Sequence, residues 1–269
     1  MGPHRGATSL VQGCGQALRL SRGTGSGSNL GMDASALLRS KIKAARKRGA
    51  WWVSAFDVIR LVKTSDGRAR LWTRLVHGDA VHQTTPDTWA DRYPQLFDLA
   101  AQLVPDAKRI LSFGCSTGEE LLALRQRFPQ AEIVGAEINS RSRRIATGKI
   151  IHDPAIEVVP PRSIEGSFDA VFALAVLQRE PTKMAKMGVE DLTPFYPFER
   201  FDKAVGALVA RLHPGGLLCV MHAQYPVEAS AAARRLKPLD VSPLMEQPIF
   251  GADGRRMPDA EARTIFRKI

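Results

Sequence analysis

The sequence predicts an α/β fold, in which helices cover both faces of a mostly parallel, seven-stranded sheet. Two observations carry this prediction. A short apolar run at 110–113 is followed by a turn of small residues at 114–118 and then by apolar residues at helical spacing, so a strand leads through a tight turn into a helix. The near-continuous apolar run at 168–176 is typical of a strand buried on both faces, as in parallel sheets.

The first strand, turn and helix have the features of a nucleotide-binding unit. Gly114 and Gly118 allow positive φ and let a ligand come close, because glycine has no Cβ. The following helix offers unpaired amide donors at its N-terminus. A second strand at 132–136 ends in Glu137, and an acid in this position can accept hydrogen bonds from both hydroxyls of a ribose.

The glycine spacing indicates which nucleotide is bound. A dinucleotide fingerprint reads Gly-x-Gly-x-x-Gly, whereas this turn has Ser116 between Gly114 and Gly118 and lacks a third glycine, which disfavours a dehydrogenase. The turn resembles motif I of the class I S-adenosylmethionine-dependent methyltransferases, in the variant Gly-Cys-Ser-Thr-Gly-Glu-Glu that is similar to that of chemotaxis receptor methyltransferases. Two residues depart from the family pattern, since Ser112 stands where many members have an acid and Ser116 replaces the middle glycine.

The resemblance to the wider class implies a Rossmann-like fold that closes with an antiparallel terminal strand. Its later strands are expected at 155–159, 168–176, 212–222 and 264–268, with an amphipathic helix at 201–212 and a turn at 248–257.

The resemblance also implies S-adenosylmethionine as the cofactor. The glycine turn would contact its methionine and ribose, Glu137 its ribose hydroxyls and Glu119 its amino group, although acids at 119 and 120 are equally typical of a helix first turn. Ser163 follows the third strand, where the family often has a small polar residue near the adenine. The cofactor-binding residues expected on this basis are Gly114, Cys115, Ser116, Thr117, Gly118, Glu119, Glu137, Ile138, Ser163, Ala173 and Leu174.

Three residues are candidates for the transfer step. Transfer from a sulfonium needs mainly an oriented acceptor, exclusion of water and, for some acceptors, removal of a proton. Gln178 and Arg179 follow the fourth strand, at positions that face the transferred methyl group in the family. Arg179 could pair with an acidic substrate or lie on the surface. His222, at the end of the fifth strand, could act as a general base or serve a structural role.

Three segments are expected along the chain. Residues 1–31 form a basic, Gly- and Ser-rich tail that is predicted to be disordered, or a targeting peptide, or a stretch upstream of a true start at Met32. Residues 32–86 form a helical cap that contains a basic amphipathic helix, and residues 87–269 form the methyltransferase domain. The stretch before the first strand should border the cleft, with Arg92 and Tyr93 either near the cofactor carboxylate or at a capped helix start.

Charge and composition narrow the function classes. The net charge is +11, but residues 1–50 hold nine basic residues and one acid, so the remainder is nearly neutral and does not predict a nucleic-acid-binding catalytic face. No apolar run approaches the length of a membrane span. The three cysteines are far apart in the sequence, which argues against a disulfide framework and against a zinc site. This use of cysteine indicates a reducing compartment, so we predict a cytoplasmic protein.

The sequence therefore predicts an S-adenosylmethionine-dependent methyltransferase that acts on a small molecule or a protein. One alternative is a noncatalytic protein that binds the same cofactor, which the departures at Ser112 and Ser116 permit. Another is an RNA methyltransferase that grips phosphates with the basic N-terminal helix. No Asn-Pro-Pro-Tyr or Asp-Pro-Pro-Tyr follows the fourth strand, which disfavours methylation of base amino groups. The resemblance to the chemotaxis enzyme stops at the cofactor turn, so receptor methylation is not expected.

Overall fold

The structure is a computed structural model that describes residues 63–83, 88–241, 249–258 and 260–269. The predicted tail at 1–31 and the predicted basic helix at 33–47 lie outside the described residues. Among the described residues no helix is long and apolar enough to cross a lipid bilayer.

A seven-stranded sheet forms the centre of the described chain. Its strands are β1 (Arg109–Phe113), β2 (Glu132–Ala136), β3 (Ile156–Val159), β4 (Phe168–Leu174), β5 (Leu212–Met221), β6 (Leu236–Pro238) and β9 (Ile265–Lys268). They lie in the order β3-β2-β1-β4-β5-β9-β6, with β9 antiparallel to both of its neighbours and the pairs from β3 to β5 all parallel. The predicted Rossmann-like, mostly parallel sheet with an antiparallel terminal strand is confirmed. The short strands β7 (Ile249–Phe250) and β8 (Arg256–Met257) pair separately in the region expected to be a turn.

Six α-helices are described around the sheet. They are α1 (Ser65–His77), α2 (Pro94–Leu103), α3 (Glu119–Arg127), α4 (Ser140–Lys149), α5 (Pro181–Lys186) and α6 (Phe198–Ala210). Alternate residues of the central strands point to opposite faces, so Leu111 packs in one core and Ile110 in the other. The first core includes Phe201 and Val205 of α6, and the second includes Phe97 of α2 and residues of α3. Helices therefore cover both faces of the sheet.

The turn between β1 and α3 requires glycine at two points. Gly114 has φ of 85°, and a Cβ placed there would lie 2.6 Å from Cγ2 of Val176. Gly118 has φ of 93°, and its Cβ would lie 3.1 Å from Cα of Ala146 in α4. Ser116 adopts φ of 51° without being glycine, so the turn holds one strained residue in its centre.

Candidate active site

A deep cleft lies at the carboxyl ends of β1, β2 and β4. It contains about 1120 Å³ of empty space, part of which is open solvent at its mouth. One wall comes from the turn after β1 and the ends of β2 and β4. The opposite wall comes from α1 and from residues 78–83 and 88–93, which we call the lip. The cleft therefore lies where ligands bind in open α/β sheets.

Glu137 occupies the floor of the cleft directly after β2. Its side chain is buried, and its carboxyl accepts hydrogen bonds from the amides of Ser116, at 3.0 Å, and Asn139, at 2.6 Å. Burial raises the pKa of this carboxyl, although the amide hydrogen bonds and Arg143 oppose the rise. A carboxylate has about four lone-pair positions, so two remain for a ligand after these two bonds.

Glu120, in the first turn of α3, also lines the cleft. Its carboxyl accepts a hydrogen bond from the hydroxyl of Ser112, at 2.7 Å, and Ser112 is fully buried within β1. Burial raises the pKa of Glu120 to about 8, while Ser112 and the charge of Arg92 act in the opposite direction. Sequence reasoning did not assign a role to Glu120, although the serine at the usual acid position was a signal that another residue supplies the carboxyl.

Glu119 points elsewhere. It forms an ion pair with Lys149 and accepts a hydrogen bond of 2.7 Å from the hydroxyl of Thr117. Partial burial would raise its pKa, but these hydrogen bonds outweigh burial and lower it. Glu119 is not among the described residues that line the cleft, whereas its neighbour Glu120 is.

The other predicted cofactor residues divide into two groups. Gly114, Cys115, Ser116, Glu137, Ile138 and Leu174 line the cleft. The described lining does not include Thr117, Gly118, Ser163 or Ala173. Ala173 packs into the core. Ser163 is exposed at the end of a 3₁₀ turn whose first residue, Pro161, does line the cleft. Burial raises the pKa of the Cys115 thiol, so this cysteine is not a thiolate nucleophile.

The three predicted catalytic residues, Gln178, Arg179 and His222, are not among the described residues that line the cleft. The side-chain amide of Gln178 donates to the carbonyl of Ala175 at 3.1 Å. His222 has φ of 54° and packs its ring 5.6 Å from that of Tyr93. Arg179 donates to two lip carbonyls, of Val81 at 3.4 Å and of His82 at 3.2 Å. Each of the three residues therefore has a contact within the protein, Gln178 and Arg179 from the loop after β4 and His222 from the end of β5.

The lip is attached to the domain at both ends. Arg179 holds its first segment, and the side chain of Gln83 accepts a hydrogen bond from the amide of Glu180 at 3.4 Å. Arg127 at the end of α3 pairs with Asp91 and Asp98, each at 2.9 Å. The lip is therefore fixed to the loop after β4 and to the helix that follows the glycine turn.

The second segment of the lip is aromatic and basic. The guanidinium of Arg92 lies 4.3 Å from the ring centroid of Trp89 and 5.1 Å from that of Tyr93. The Tyr93 hydroxyl is buried, as is the Ser116 hydroxyl, and neither has a hydrogen-bond partner within the described part of the chain. An unsatisfied buried hydroxyl costs about 1–3 kcal/mol, so these two oxygens indicate a polar ligand in the cleft.

His82 lines the cleft in the first segment of the lip. Its Nδ1 lies 2.6 Å from the hydroxyl oxygen of Tyr196, and its ring packs edge to face against Tyr196 and Phe113. Burial, followed by the charges of Arg200 and Arg179, lowers the pKa of His82 to about 4. The imidazole is therefore neutral at physiological pH.

No metal centre is found in the described segments, where no three His, Cys, Asp or Glu residues are grouped as metal ligands. The polar groups that line the cleft are instead two carboxyls and several amides and hydroxyls. Its apolar lining includes Leu174 and Ile138. Such a set suits an organic ligand with hydroxyl and charged groups.

The proteins that this chain resembles are methyltransferases. The chain is 28% identical over 159 residues to the trans-aconitate 2-methyltransferase of Deinococcus radiodurans, a match that covers 55% of this chain and 54% of that protein. It is 34% identical over 124 residues to the demethylmenaquinone methyltransferase of Thermus thermophilus, covering 46% and 50% respectively. The chain spans about half the length of the curated relatives it matches. No protein family profile matches the chain.

Solved structures of similar chains include the N-methyltransferase NodS from Bradyrhizobium japonicum in complex with S-adenosyl-L-homocysteine. This protein is 16% identical, with a TM-score of 0.42, and the match covers 66% of this chain and 86% of NodS.

Proposed function

We propose that this protein is an S-adenosylmethionine-dependent methyltransferase. The observation that carries the proposal is the position of Glu137, a buried carboxyl after β2 that is bonded to the amide of Ser116 and still has acceptor capacity toward the cleft. A ribose diol needs two acceptors in this place. The similarity to two methyltransferases supports the choice of this cofactor over other nucleosides.

The amino-acid end of the cofactor would lie between Glu120 and the lip. Glu120 offers a carboxyl to an ammonium, and Arg92 offers a guanidinium to a carboxylate. The unsatisfied hydroxyls of Ser116 and Tyr93 lie in the same cleft and can bond the remaining polar atoms. Opposite charges at one end of a cleft recognise a zwitterion such as the methionine part of the cofactor.

The protein's part in the reaction is to orient the cofactor and the methyl acceptor relative to each other. The cofactor supplies a methyl group on a positively charged sulfur, which is already a good leaving group. The lip forms one wall of the cleft, and the arginine contacts that fix the lip keep this wall in one geometry for the acceptor. The acceptor is a small molecule on this proposal, because the two relatives are named for small-molecule acceptors, trans-aconitate and demethylmenaquinone. An RNA acceptor remains a prediction from the basic N-terminal sequence.

Calorimetric titration with S-adenosylmethionine and S-adenosylhomocysteine tests the proposal. We expect micromolar binding to the wild type and at least about tenfold weaker binding to Glu137→Ala, because charge-assisted hydrogen bonds to the ribose are lost. Glu132→Ala is the matched control, since Glu132 lies at the other end of β2, is largely exposed and forms an ion pair with Arg109 at the surface. Absence of binding by the wild type, or equal losses in both variants, would contradict the proposal. Binding without turnover on any acceptor would favour the noncatalytic alternative.

A further inference from the structure

The sheet order separates His82 from the residues proposed to hold the cofactor. Glu137 follows β2, and Glu120 follows the turn after β1. The backbone carbonyl of His82 is instead bonded to Arg179 in the loop after β4, on the far side of β1 from β2, and its ring packs against Tyr196 and against Phe113 at the end of β1. A ligand held by Glu137 and Glu120 therefore leaves the β4 side of the cleft, where His82 lies, to the methyl acceptor.

The contact with Tyr196 favours one tautomer of His82. Tyr196 is fully buried, and burial raises the pKa of its hydroxyl, so the hydroxyl keeps its proton. Its only described hydrogen-bond partner for that proton is Nδ1 of His82, because the hydroxyl of Tyr225 bonds to the backbone carbonyl of Tyr196 instead. A neutral imidazole that accepts at Nδ1 carries its hydrogen on Nε2. His82 is thus a hydrogen-bond donor.

The surroundings of His82 suit an anionic partner for that donor. The charges that act on its ring are those of Arg200 and Arg179, both positive. Arg70 of α1 also lines the cleft. A neutral donor in a positive field binds a carboxylate oxygen and gains nothing from an ammonium.

We propose that Nε2–H of His82 binds a carboxylate of the methyl acceptor, so that the enzyme forms methyl esters of small carboxylic acids. This inference rests on the proposed function. One carboxylate oxygen attacks the methyl carbon, the new O–C bond forms as the S–C bond breaks, and the electron pair of that bond stays on sulfur. The products are a methyl ester and a neutral thioether, and no proton is released. A carboxylate acceptor therefore needs no general base, which agrees with a histidine whose accepting nitrogen is already occupied.

The first test is the tautomer, which needs no acceptor. In protein saturated with S-adenosylhomocysteine, we expect long-range ¹H–¹⁵N correlation spectra to show the His82 hydrogen on Nε2. In Tyr196→Phe the ring should lose this preference, because the hydroxyl that occupies Nδ1 is gone. A hydrogen on Nδ1 in the wild type would overturn the inference.

The second test uses radiolabelled methyl transfer from S-adenosylmethionine to trans-aconitate, citrate and succinate. We expect a base-labile product, with kcat/KM reduced about ten- to a hundredfold in His82→Phe, while His82→Gln, which keeps an N–H donor, recovers part of the loss. Affinity for S-adenosylhomocysteine should stay within twofold in both variants. Binding of S-adenosylhomocysteine without any base-labile product, or equal rates in His82→Phe and wild type, would overturn this inference alone. Failure of the wild type to bind S-adenosylhomocysteine would overturn the proposed function as well.

Discussion

The hydroxyl of Ser112 donates a hydrogen bond of 2.7 Å to the carboxyl of Glu120. Ser112 stands on β1 where the resembled family commonly has an acid, and Glu120 stands in the first turn of the following helix. A carboxyl thus reaches the cleft from α3, and the serine fixes its orientation. The cleft therefore has a carboxyl next to β1 although the strand position itself holds a serine.

Cofactor binding should release a proton from Glu120. Its pKa is raised to about 8 by burial, so the carboxyl is largely protonated at pH 7, and a bound ammonium would favour the ionised form. Affinity should therefore rise about tenfold per pH unit up to about pH 8 and then level off. Calorimetry in buffers of different ionisation enthalpy should report release of about one proton near pH 7. Release should vanish in Glu120→Gln and persist in Glu119→Gln, and persistence in Glu120→Gln would rule out this assignment.

The buried histidine of the lip should make the fold sensitive to acid. The pKa of His82 is lowered from 6.5 to about 4 in the folded protein, so between these values the unfolded chain binds a proton that the folded chain does not. The free energy of unfolding should fall as the pH drops through that window, by about 2 kcal/mol at pH 5. Urea unfolding at pH 7.5 and pH 5 measures this difference. His82→Phe should lose this part of the slope, whereas His213→Phe, at an exposed position, should retain it.

Removal of Arg179 should loosen the lip without touching the cofactor directly. Arg179→Met loses the hydrogen bonds to the carbonyls of Val81 and His82, which are donated by a charged group. We expect faster amide hydrogen exchange at 81–83 and a loss of up to about 1.5–3 kcal/mol in local stability. Arg211→Met is a suitable control, because Arg211 bonds the carbonyl of Gly166, away from the cleft. Unchanged exchange at 81–83 in Arg179→Met would contradict the anchoring role.

A side chain at Gly114 should destabilise the domain. Gly114→Ala places a methyl group 2.6 Å from Cγ2 of Val176 at a φ of 85°. The strained φ and the clash together should cost roughly 2–4 kcal/mol in unfolding free energy. The double variant with Val176→Ala should recover the part due to the clash. By contrast, Gly148→Ala in α4 has open space around the added methyl and should stabilise the fold by up to about 1 kcal/mol.

The strands of the sheet were predictable where apolar runs mark them. The expected second strand at 132–136 coincides with β2, and the run at 168–176 contains β4. By contrast, β6 has only three residues and one buried side chain, Leu236, so it has no hydrophobic pattern that could predict a strand. It is a strand because it pairs with β9. Helix α4 was not predicted because it carries few apolar residues and begins at the Asn139 cap, which only the end of β2 positions.

Only those parts of the candidate site whose residues are close together in the sequence were predictable. The glycine turn and Glu137 are close in sequence and their chemistry is set by spacing. Whether Glu119 or Glu120 faces the cleft depends on the rotation of α3, and two adjacent acids look alike in a sequence. His82 meets Tyr196 across 114 positions of chain, so only the folded structure brings the two rings together.

The lip carries both His82 and Arg92, and it is held through Arg179 and Arg127. A cofactor near Arg92 and an acceptor near His82 would therefore both lie against the lip. We therefore expect release of the cofactor and of the acceptor to depend on the same segments. Product and spent cofactor would both leave past the lip, so the rate at which the lip moves would set an upper bound on kcat.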